Sequence, residues 1–567
     1  MENKRIKLET SVDRCMTESA AAQPAHASAS CATPSPVHVK TEPSATAGPS
    51  TQTSSTERPA ADSDAIQLAP AQEQVLSRVK AGHNVFFTGS AGTGKSLVLR
   101  RIVQYFRTEK NMSGDDLVVT APTGLAGTNV GGGTLHSWAG VGINVESLKQ
   151  TLNNIVGAER YPAMRDGVSI FEAGNPDALG SSAKRWIQCK VLIIDEVSMM
   201  AASFFDKLEH MARFIRGNEQ PFGGIQLILS GDFLQLPPIG GAKSKPRFAF
   251  QATSWPKCVE EPLLLSNVYR QNDQAFLAVL NDIRRNVISP RSLAFIKAHS
   301  KPVEYPSGVW PVDLCARKKT VQARNDKALR GLAGSARPFT SYGDSRDGPH
   351  LDSLFTVQRE LSLKVGARVM LLKNLVPNVL VNGSLGEVIG FSTAAQVHSS
   401  GSATIGVPFA LAGKFESAPT GYAYQRYEKE FYECLQDYTE WPIVRFRCGS
   451  STTETVDILC VAHKFYAAHF DKGAIWRKQV PLALAYAITI HKAQGQTLER
   501  VRVDLAGIFE AGQCYVALSR AANPACLEIV NWSESAVKIN NVAVEWYRSL
   551  EAEAPKCLGK RAMSEMN

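Results

Sequence analysis

The stretch Gly89-Ser90-Ala91-Gly92-Thr93-Gly94-Lys95-Ser96 fits the pattern GxxxxGK[ST], with a predicted strand at Asn84–Thr88 before it and a predicted helix at Ser96–Phe106 after it. Glycines let successive backbone N–H groups turn toward phosphates, and the N-terminus of a helix adds a favourable dipole. Lys95 is expected to reach the β- and γ-phosphates, and the Ser96 hydroxyl to help hold Mg²⁺. The whole stretch is therefore assigned to binding a nucleotide, with ATP and Mg²⁺ as the expected cofactors.

Short β-branched runs alternate with helical periodicity on both sides of this loop, which is typical of α/β units around a parallel sheet. Further buried strands are predicted at Leu117–Thr120, Val191–Ile194 and Gln226–Leu229. Between the last two, apolar residues recur at helical spacing, namely Phe205, Leu208, Met211, Ala212 and Ile215. The predicted fold class is α/β, with order beginning near Leu68.

Polar residues directly follow two of these strands. Asp195 is placed to hold Mg²⁺, and Glu196 to orient or deprotonate the attacking water. Gln235 lies in Ser230–Pro238 after the next strand, where its amide is expected to contact the γ-phosphate and the water. These residues favour ATP hydrolysis, but a kinase or a GTPase shares the loop and the acidic pair.

Two arginines are candidates for contacts across two lobes. Arg270 precedes a helical pattern, and Arg520 follows the run Gly512–Ser519. In a two-lobed ATPase, arginines of the second lobe reach across to stabilise charge on the γ-phosphate. Closing on ATP and opening on ADP is then expected to ratchet one lobe against the other.

A second α/β region is predicted to begin around Leu263, with strands at Val312–Ala316 and Arg368–Leu372. The pair Asn382-Gly383 signals a tight hairpin, because both residue types tolerate positive φ. Residues 392–480 break the α/β rhythm with short aromatic strands such as Trp441–Arg445, which predicts an inserted β-rich module.

Composition and charge limit the class of protein. The chain has 567 residues, 44% of them apolar and 20% charged, and a formal net charge of +9, so several packed domains and a polyanionic partner are expected. No apolar run reaches the ~20 residues that span a bilayer, so no membrane partner is expected. The 11 cysteines occur singly, which favours reduced thiols inside a cell and argues against a zinc site.

The two ends of the chain are predicted to be non-globular. Residues 1–65 are rich in Ala, Ser, Thr and Pro and cannot bury enough apolar surface to offset the entropy of ordering. Residues 549–567 are expected to form a flexible tail. The acidic Glu2 and the sumoylation-like patterns Ile6–Glu9 and Val39–Glu42 favour a nuclear location, with a mitochondrial one as the alternative.

Taken in order, these blocks resemble superfamily-one helicases, and specifically the petite-integration-frequency (Pif) family of superfamily-one B. The stretch Phe205–Gln226 resembles the signature sequence of that family. Its first DNA-contacting block is similar to Thr120–Gly124 with Thr134–Ser137, and a further block matches Gly366–Leu372 with Val381–Ser384.

Two more features carry the resemblance, which covers about residues 66 to 546. Ile490–Thr497 resembles the block that couples DNA to ATP, and Gln72 fits the glutamine that reads the adenine edge. Ala493 stands where the family usually has serine, which removes one possible hydroxyl contact to DNA. Residues 145–185 look longer than the usual linker.

The resemblance implies two RecA-like parallel-sheet lobes, a small wedge inserted in the first and an SH3-like β-barrel inserted in the second. The first lobe is placed at 66–262 with a wedge-like insertion at about 143–185. The second lobe is placed at 263–391 and 481–548, around an SH3-like module at 392–480.

The resemblance also implies an activity. Such proteins are ATP-dependent 5′→3′ DNA helicases that work on single-stranded DNA and DNA forks, and the expected protein acts as a monomer. Duplexes, RNA–DNA hybrids and G-quadruplexes in telomere, replication, recombination and repair settings are the implied substrates.

Contacts to the nucleic acid are expected in loops of both lobes, because single-strand channels combine basic tracking of phosphates with aromatic or hydroxyl contacts. The candidate residues are Thr123, Gly124, His136, Ser137, His491, Lys492, Gln513, Tyr515, Ser519 and Trp532. For Trp138, Trp255 and Trp441, core packing is favoured over base stacking.

Two other functions remain open from the sequence. One is a DNA-stimulated ATPase that remodels protein–DNA complexes without separating strands, and the other is an RNA-directed helicase. The backbone contacts expected in the channel do not distinguish RNA from DNA.

Overall fold

The computed structural model describes residues 68–553, apart from 124–125, 128–129, 142–146, 175–178, 239–246, 261, 270–272, 304–309, 377–378, 408–409, 412–428, 430, 448–454, 470–472 and 499. The predicted disordered segment 1–65 lies outside the described residues, as do residues 554–567. Among the helices of the described part, none has the length and apolar character needed to cross a membrane.

The first lobe is built on a six-stranded parallel sheet in the order β3-β2-β4-β5-β1-β6. Its strands are β1 (Val85–Gly89), β2 (Leu117–Ala121), β3 (Gly133–Thr134), β4 (Val191–Ile194), β5 (Gln226–Gly231) and β6 (Leu263–Leu265). The strands β1, β2 and β4 are buried along their whole length, as expected where helices cover both faces of a parallel sheet. The strands predicted from the sequence are confirmed to within two residues.

Helices cover both faces of this sheet. They are α1 (Pro70–Lys80), α2 (Lys95–Gln104), α3 (Leu135–Ala139), α4 (Leu148–Val156), α5 (Arg160–Arg165), α6 (Ser181–Gln188), α7 (Ala202–Arg216) and α8 (Trp255–Cys258). The helical spacing predicted for α7 is confirmed, since its five apolar positions are fully buried. In the predicted wedge region, α4 and α5 pack on the core of the first lobe, and their wedge function stays a prediction.

A second parallel sheet begins after two helices, α9 (Gln274–Arg284) and α10 (Pro290–Ala298). Its first strand is β7 (Val312–Cys315), which is followed by α11 (Lys318–Gly331). The apolar face of α9 packs into the core of this second lobe.

A β-rich region then interrupts the second lobe. It contains β8 (Arg337–Thr340), β9 (Tyr342–Gly343), β10 (Glu360–Leu363), β11 (Arg368–Leu371), β12 (Leu385–Ser392), α12 (Ala394–Ser400), β13 (Thr404–Ile405), β14 (Trp441–Arg447), β15 (Thr455–Leu459), β16 (His463–His469), β17 (Gly473–Gln479) and β18 (Leu482–Leu484). One sheet has the order β13-β15-β14-β12-β11-β18, and another the order β16-β17-β9.

The predicted bounds of this inserted region differ from the observed ones. The sequence places a strand at Arg368–Leu372 in the second α/β region, but the observed β11 pairs antiparallel with β12 and β18 and lies in the six-stranded β-rich sheet. The region therefore extends from about residue 337 to 484 rather than from 392 to 480. A turn at Asn382-Gly383 is observed, with Gly383 at φ 99° and Ser384 N donating to Val381 O at 2.9 Å. It lies within the longer connection between β11 and β12, so the predicted tight hairpin is not formed. An SH3-like barrel stays a prediction.

The second lobe resumes with β19 (Ala487–Thr489), α13 (Ile490–Ala493), β20 (Val501–Asp504), α14 (Gln513–Leu518) and β21 (Leu527–Val530). The parallel order is β19-β7-β20-β21. The α/β class and the two parallel-sheet lobes expected from the sequence are confirmed.

The last described helix, α15 (Asn541–Glu553), leaves the second lobe. Its Ala543, Val544 and Tyr547 are buried in the core that contains Phe86 of β1. The prediction that residues up to 548 complete the second lobe is therefore wrong for this helix, and residues 549–553 of the expected tail are helical.

Candidate nucleotide site and nucleic-acid interface

The phosphate loop joins the end of β1 to the start of α2. Gly92 and Gly94 have φ of 88° and 82°, a region that glycine adopts without steric cost. A Cβ on Gly94 would lie 2.5 Å from the Gln72 side-chain nitrogen, so any larger residue there would displace the Gln72 amide as well as strain the backbone. Lys95 Nζ donates to the carbonyls of Gly89 at 2.8 Å and Ser90 at 3.1 Å, and Ser96 is exposed at the first turn of α2.

Gln72 lies on α1 against this loop and is buried. Its Oε1 accepts from Ala69 N at 3.0 Å, and its Nε2 donates to Thr93 O at 3.1 Å. An amide has two donor hydrogens and two acceptor lone pairs, so each end keeps one further position for a base edge. The location beside the loop agrees with the expected adenine contact, which stays a prediction.

Asp195 and Glu196 follow β4 and are both buried. Burial, together with the neighbouring Glu196 carboxylate, raises the pKa of Asp195 to about 7. Glu196 has φ 50°, a left-handed conformation that is uncommon outside glycine and is often found at functional sites. Two adjacent buried carboxylates next to a phosphate loop suit a divalent cation with oxygen ligands, so Asp195 and Ser96 fit Mg²⁺.

The loop after β5 carries a buried ion pair. Asp232 Oδ1 accepts from Arg284 Nη2 of α9 at 2.8 Å, and both side chains are almost fully buried. Gln235 Nε2 donates to Asp232 Oδ2 at 3.3 Å. Because Arg284 belongs to the second lobe, its contact with Asp232 holds the first-lobe loop that carries Gln235 against the second lobe.

Two more side chains of the second lobe reach the nucleotide site. Gln494 Nε2 donates to Glu196 Oε2 at 2.9 Å, and the Tyr515 hydroxyl accepts from the backbone N–H of Ala91 at 2.8 Å. Gln494 lies within the block Ile490–Thr497 but is not among the site residues predicted from the sequence. The arrangement of the two lobes decides which residue of that block faces Glu196, and the spacing of residues in the sequence does not reveal that arrangement.

Of the two candidate arginines, only Arg520 is among the described residues. Arg270 lies outside the described residues. The preceding residue, Tyr269, donates its backbone N–H to Gly92 O at 2.8 Å, so the chain just before Arg270 lies against the phosphate loop. Arg520 is buried and donates to the carbonyls of Val516 at 2.9 Å and Gln496 at 3.0 Å. It thereby braces the turn that carries Gln494, and its contact to a γ-phosphate stays a prediction.

In the first lobe, the expected strand contacts lie near α3. His136 stacks on Phe204 with ring centroids 4.3 Å apart, and burial, followed by the nearby Lys207, lowers the pKa of His136. Ser137 is exposed on α3 and Thr123 is half-buried after β2. Gly124 lies outside the described residues.

In the second lobe, His491 and Lys492 lie on α13. His491 Nε2 is 2.9 Å from Glu510 Oε2, and its ring is parallel to that of the exposed Phe509. The Arg317 guanidinium lies 5.3 Å from the Phe509 ring centre. A cationic and aromatic surface of this kind suits a nucleic-acid strand.

Contacts to DNA are predicted for residues between Gln513 and Trp532, but the structure does not support them for the residues of this segment that are buried. Gln513, Tyr515 and Ser519 are at most 2% exposed, and α14 turns these side chains toward the core and the phosphate loop. Trp532 is half-buried against the same core. Ala493 is also fully buried, so the missing serine hydroxyl leaves no gap on the exposed surface.

One exposed surface was missed by the sequence analysis. The sheet of β16, β17 and β9 presents Tyr342, Lys464, Tyr466, Trp476 and Lys478 on one face, because Lys464 is opposite Lys478, Tyr466 is opposite Trp476, and Tyr342 pairs with Lys478. We call this set the aromatic–basic face. Lys464 Nζ lies 4.6 Å from the Trp476 ring centre, and β16 passes beside α3. Alternation of basic and aromatic residues was the available signal.

The remaining tryptophans named above behave as packing residues. Trp138, Trp255 and Trp441 are each at most 8% exposed and lie in core clusters. The prediction of core packing rather than base stacking is confirmed for all three.

Comparison with known proteins agrees with this arrangement. The family model described as PIF1-like helicase matches residues 67–160 and 178–286, and the model described as DNA helicase Pif1, 2B domain, matches residues 350–391. The second match falls in the β-rich region and supports its earlier start.

Curated relatives extend the likeness over most of the chain. The ATP-dependent DNA helicase PIF1 of Emericella nidulans is 36% identical over 85% of this chain, which spans 64% of that protein. The ATP-dependent DNA helicase RRM3 of Saccharomyces cerevisiae is 34% identical over 86% of this chain, which spans 68% of it.

A solved structure supports the same assignment. The crystal structure of Pif1 helicase from Candida albicans is 32% identical and has a TM-score of 0.67, with coverage of 86% of this chain and 100% of that one. This protein belongs to the PIF1-like helicase family.

Proposed function

We propose that this protein is an ATP-dependent DNA helicase that moves 5′→3′ along single-stranded DNA. The proposed 5′→3′ direction rests on the resemblance to the Pif family. The observation that carries the coupling of ATP hydrolysis to strand binding is the hydrogen bond of 2.9 Å from Gln494 Nε2 to Glu196 Oε2. It joins the α13 block, which holds His491 and Lys492, to the carboxylate assigned to water activation. A motor needs such a link, because strand binding in one place has to alter hydrolysis in another.

The residues of the phosphate site account for the hydrolysis of ATP. Backbone N–H groups of the loop and Lys95 bind the phosphates, and Ser96 and Asp195 would hold Mg²⁺, which neutralises phosphate charge when bound. Glu196 orients the attacking water and accepts its proton. Gln235 lies in the loop after the neighbouring strand β5, where its Nε2 donates to Asp232 and its Oε1 has no partner among the described residues. That oxygen is available to the attacking water, and the remaining amide hydrogen to the γ-phosphate.

Movement of the lobes follows from the interlobe contacts. Tyr515 contacts the phosphate loop and Gln494 contacts Glu196, so the second lobe touches both the nucleotide-binding and the hydrolytic residues. Loss of the γ-phosphate changes the charge at this interface, and each cycle of closing and opening then advances the protein along the strand.

The proposed DNA path runs over three surfaces. The α3 loop contributes His136 and Ser137, α13 contributes His491 and Lys492, and the aromatic–basic face adds rings for base stacking and lysines for phosphates. Helix α3 lies beside β16, which is one of the strands that carry that face.

The direct test is strand displacement by purified protein on partial duplexes with a 5′ or a 3′ single-stranded tail. We expect displacement from the 5′ tail only, with ATP and not with a non-hydrolysable analogue. The Lys95→Ala protein serves as the inactive control. Displacement from the 3′ tail alone would contradict the proposed polarity.

Other outcomes of this assay would favour the alternative functions. ATP hydrolysis stimulated by DNA without any displacement would favour a remodelling ATPase. Displacement that requires an RNA tail would favour an RNA-directed helicase. The proposal of a DNA helicase also includes RNA–DNA hybrids and G-quadruplexes as substrates, a nuclear location and a monomeric state.

A further inference from the structure

Helix α15 places one tyrosine hydroxyl among polar groups of the first lobe. The Tyr547 hydroxyl contacts the Thr88 hydroxyl. It also accepts from Phe233 N at 3.2 Å and donates to Asp232 Oδ1 at 3.2 Å. Tyr547 is only 3% exposed, so solvent does not compete for these contacts.

The partners of Tyr547 lie at the ends of two adjacent strands. Thr88 on β1 pairs with Gly231 on β5. Thr88 directly precedes the phosphate loop, and Asp232 and Phe233 begin the loop that carries Gln235. One hydroxyl therefore connects the segment that binds the phosphates to the segment that bears the glutamine.

The ring of Tyr547 connects the same place to the second lobe. The Arg284 guanidinium lies 4.9 Å from the Tyr547 ring centre and 2.8 Å from Asp232 Oδ1. A buried charge is strongly destabilised when its partner is removed, so Arg284 and Asp232 are expected to move together. Arg284 ends α9, whose apolar side is part of the second-lobe core.

The position of Tyr547 is set by core packing. The preceding residue, Trp546, stacks on Phe250 with ring centroids 4.6 Å apart and planes 11° apart. Val544, one turn earlier, is buried in the same cluster. The hydroxyl is thus held by a rigid helix and not by a mobile loop.

We propose that Tyr547 is a positioning residue for ATP hydrolysis. Its hydroxyl holds the loop that carries Gln235 at a fixed position relative to the phosphate loop. When the second lobe moves, Arg284 moves with it, and the ring of Tyr547 passes this displacement to both loops. This inference rests on the proposed ATPase function.

The test is the substitution Tyr547→Phe, which keeps the ring and the packing and removes only the hydroxyl. We expect kcat for DNA-stimulated ATP hydrolysis to fall about tenfold, with KM for ATP within about twofold and the midpoint of thermal unfolding within a few degrees. Tyr105→Phe is the matched control, since Tyr105 is a buried tyrosine on the other face of the same sheet, and its kcat is expected to stay unchanged.

A double-mutant cycle with Arg284→Lys separates positioning from a structural effect. If the Tyr547 hydroxyl and the Arg284 guanidinium act together through Asp232 Oδ1, which both contact, the loss of kcat in the double variant is smaller than the product of the two single losses. An unchanged kcat in Tyr547→Phe overturns the inference, and so does a change confined to thermal stability. If the unsubstituted protein hydrolyses no ATP, the proposed function fails and the inference fails with it.

Discussion

Burial lowers the pKa of the Lys95 ammonium, while three carboxylates, Asp232, Glu196 and Asp195, oppose this shift. The site therefore holds one lysine cation among several anions in a region of low dielectric. Bound phosphates add negative charge directly beside this ammonium. Electrostatic stabilisation by a preorganised cation is strongest in such a setting.

At the scale of this residue, we predict that Lys95→Ala abolishes DNA-stimulated ATP hydrolysis, with a loss of at least about a hundredfold. Strand binding should stay within about twofold, because the proposed DNA contacts lie on other loops. Steady-state hydrolysis with and without DNA, and fluorescence anisotropy with a labelled strand, measure the two effects.

The control for this substitution is Lys110→Ala, which removes an exposed lysine of the same lobe. Robust turnover by Lys95→Ala would show that the active site lies elsewhere. The position of Lys95 was predictable from sequence, because a strand, a glycine-rich loop and a helix fix it locally. The contact between Gln494 and Glu196 was not, because it joins residues 298 positions apart.

At the scale of elements, buried strands were predicted well where both faces are covered. Val191–Ile194 is an example, since a continuous apolar run of this length suits a central parallel strand. Arg368–Leu371 has a similar run but pairs antiparallel with both of its neighbouring strands. Hydrophobicity shows that a strand is buried, whereas its partner strand depends on the path of the chain.

The aromatic–basic face supports a prediction at this scale. Tyr466 is 65% exposed on β16, and base stacking on an aromatic ring is worth about 1–3 kcal/mol. We expect Tyr466→Ala to weaken binding of single-stranded DNA about tenfold, as measured by anisotropy at fixed salt. The folded structure should be preserved, because the side chain is mostly in solvent.

Tyr438→Ala provides the comparison, because Tyr438 is 92% exposed and lies outside that face. Its affinity for DNA should match that of the unsubstituted protein. Equal affinities for Tyr466→Ala and Tyr438→Ala would remove the aromatic–basic face from the proposed DNA path.

At the scale of the whole molecule, three polar contacts between described residues join the two lobes around the nucleotide site. These are Gln494 with Glu196, Tyr515 with Ala91, and Arg284 with Asp232. We predict that Gln494→Ala lowers the stimulation of ATP hydrolysis by DNA about tenfold, because strand binding at α13 then no longer reaches Glu196. The ratio of hydrolysis rates with and without saturating single-stranded DNA gives this stimulation.

Gln322→Ala is the matched control, since Gln322 is an exposed glutamine of the second lobe. Undiminished stimulation in Gln494→Ala would mean that DNA binding is coupled to ATP hydrolysis through other residues. The sequence predicted two lobes and their order, but it assigned α15 to the wrong one. An amphipathic helix shows that it needs a partner surface, and only the folded chain shows which surface that is.

The return of α15 to the first lobe affects the order of events during synthesis. Phe86 and Phe233 are covered by Trp546, which leaves the ribosome roughly 280 residues after the last strand of the first sheet. At about 5–20 residues per second, that interval is on the order of tens of seconds. Throughout this time Phe86 and Phe233 lack the cover of Trp546, so part of the apolar surface of the nascent first lobe stays in contact with solvent.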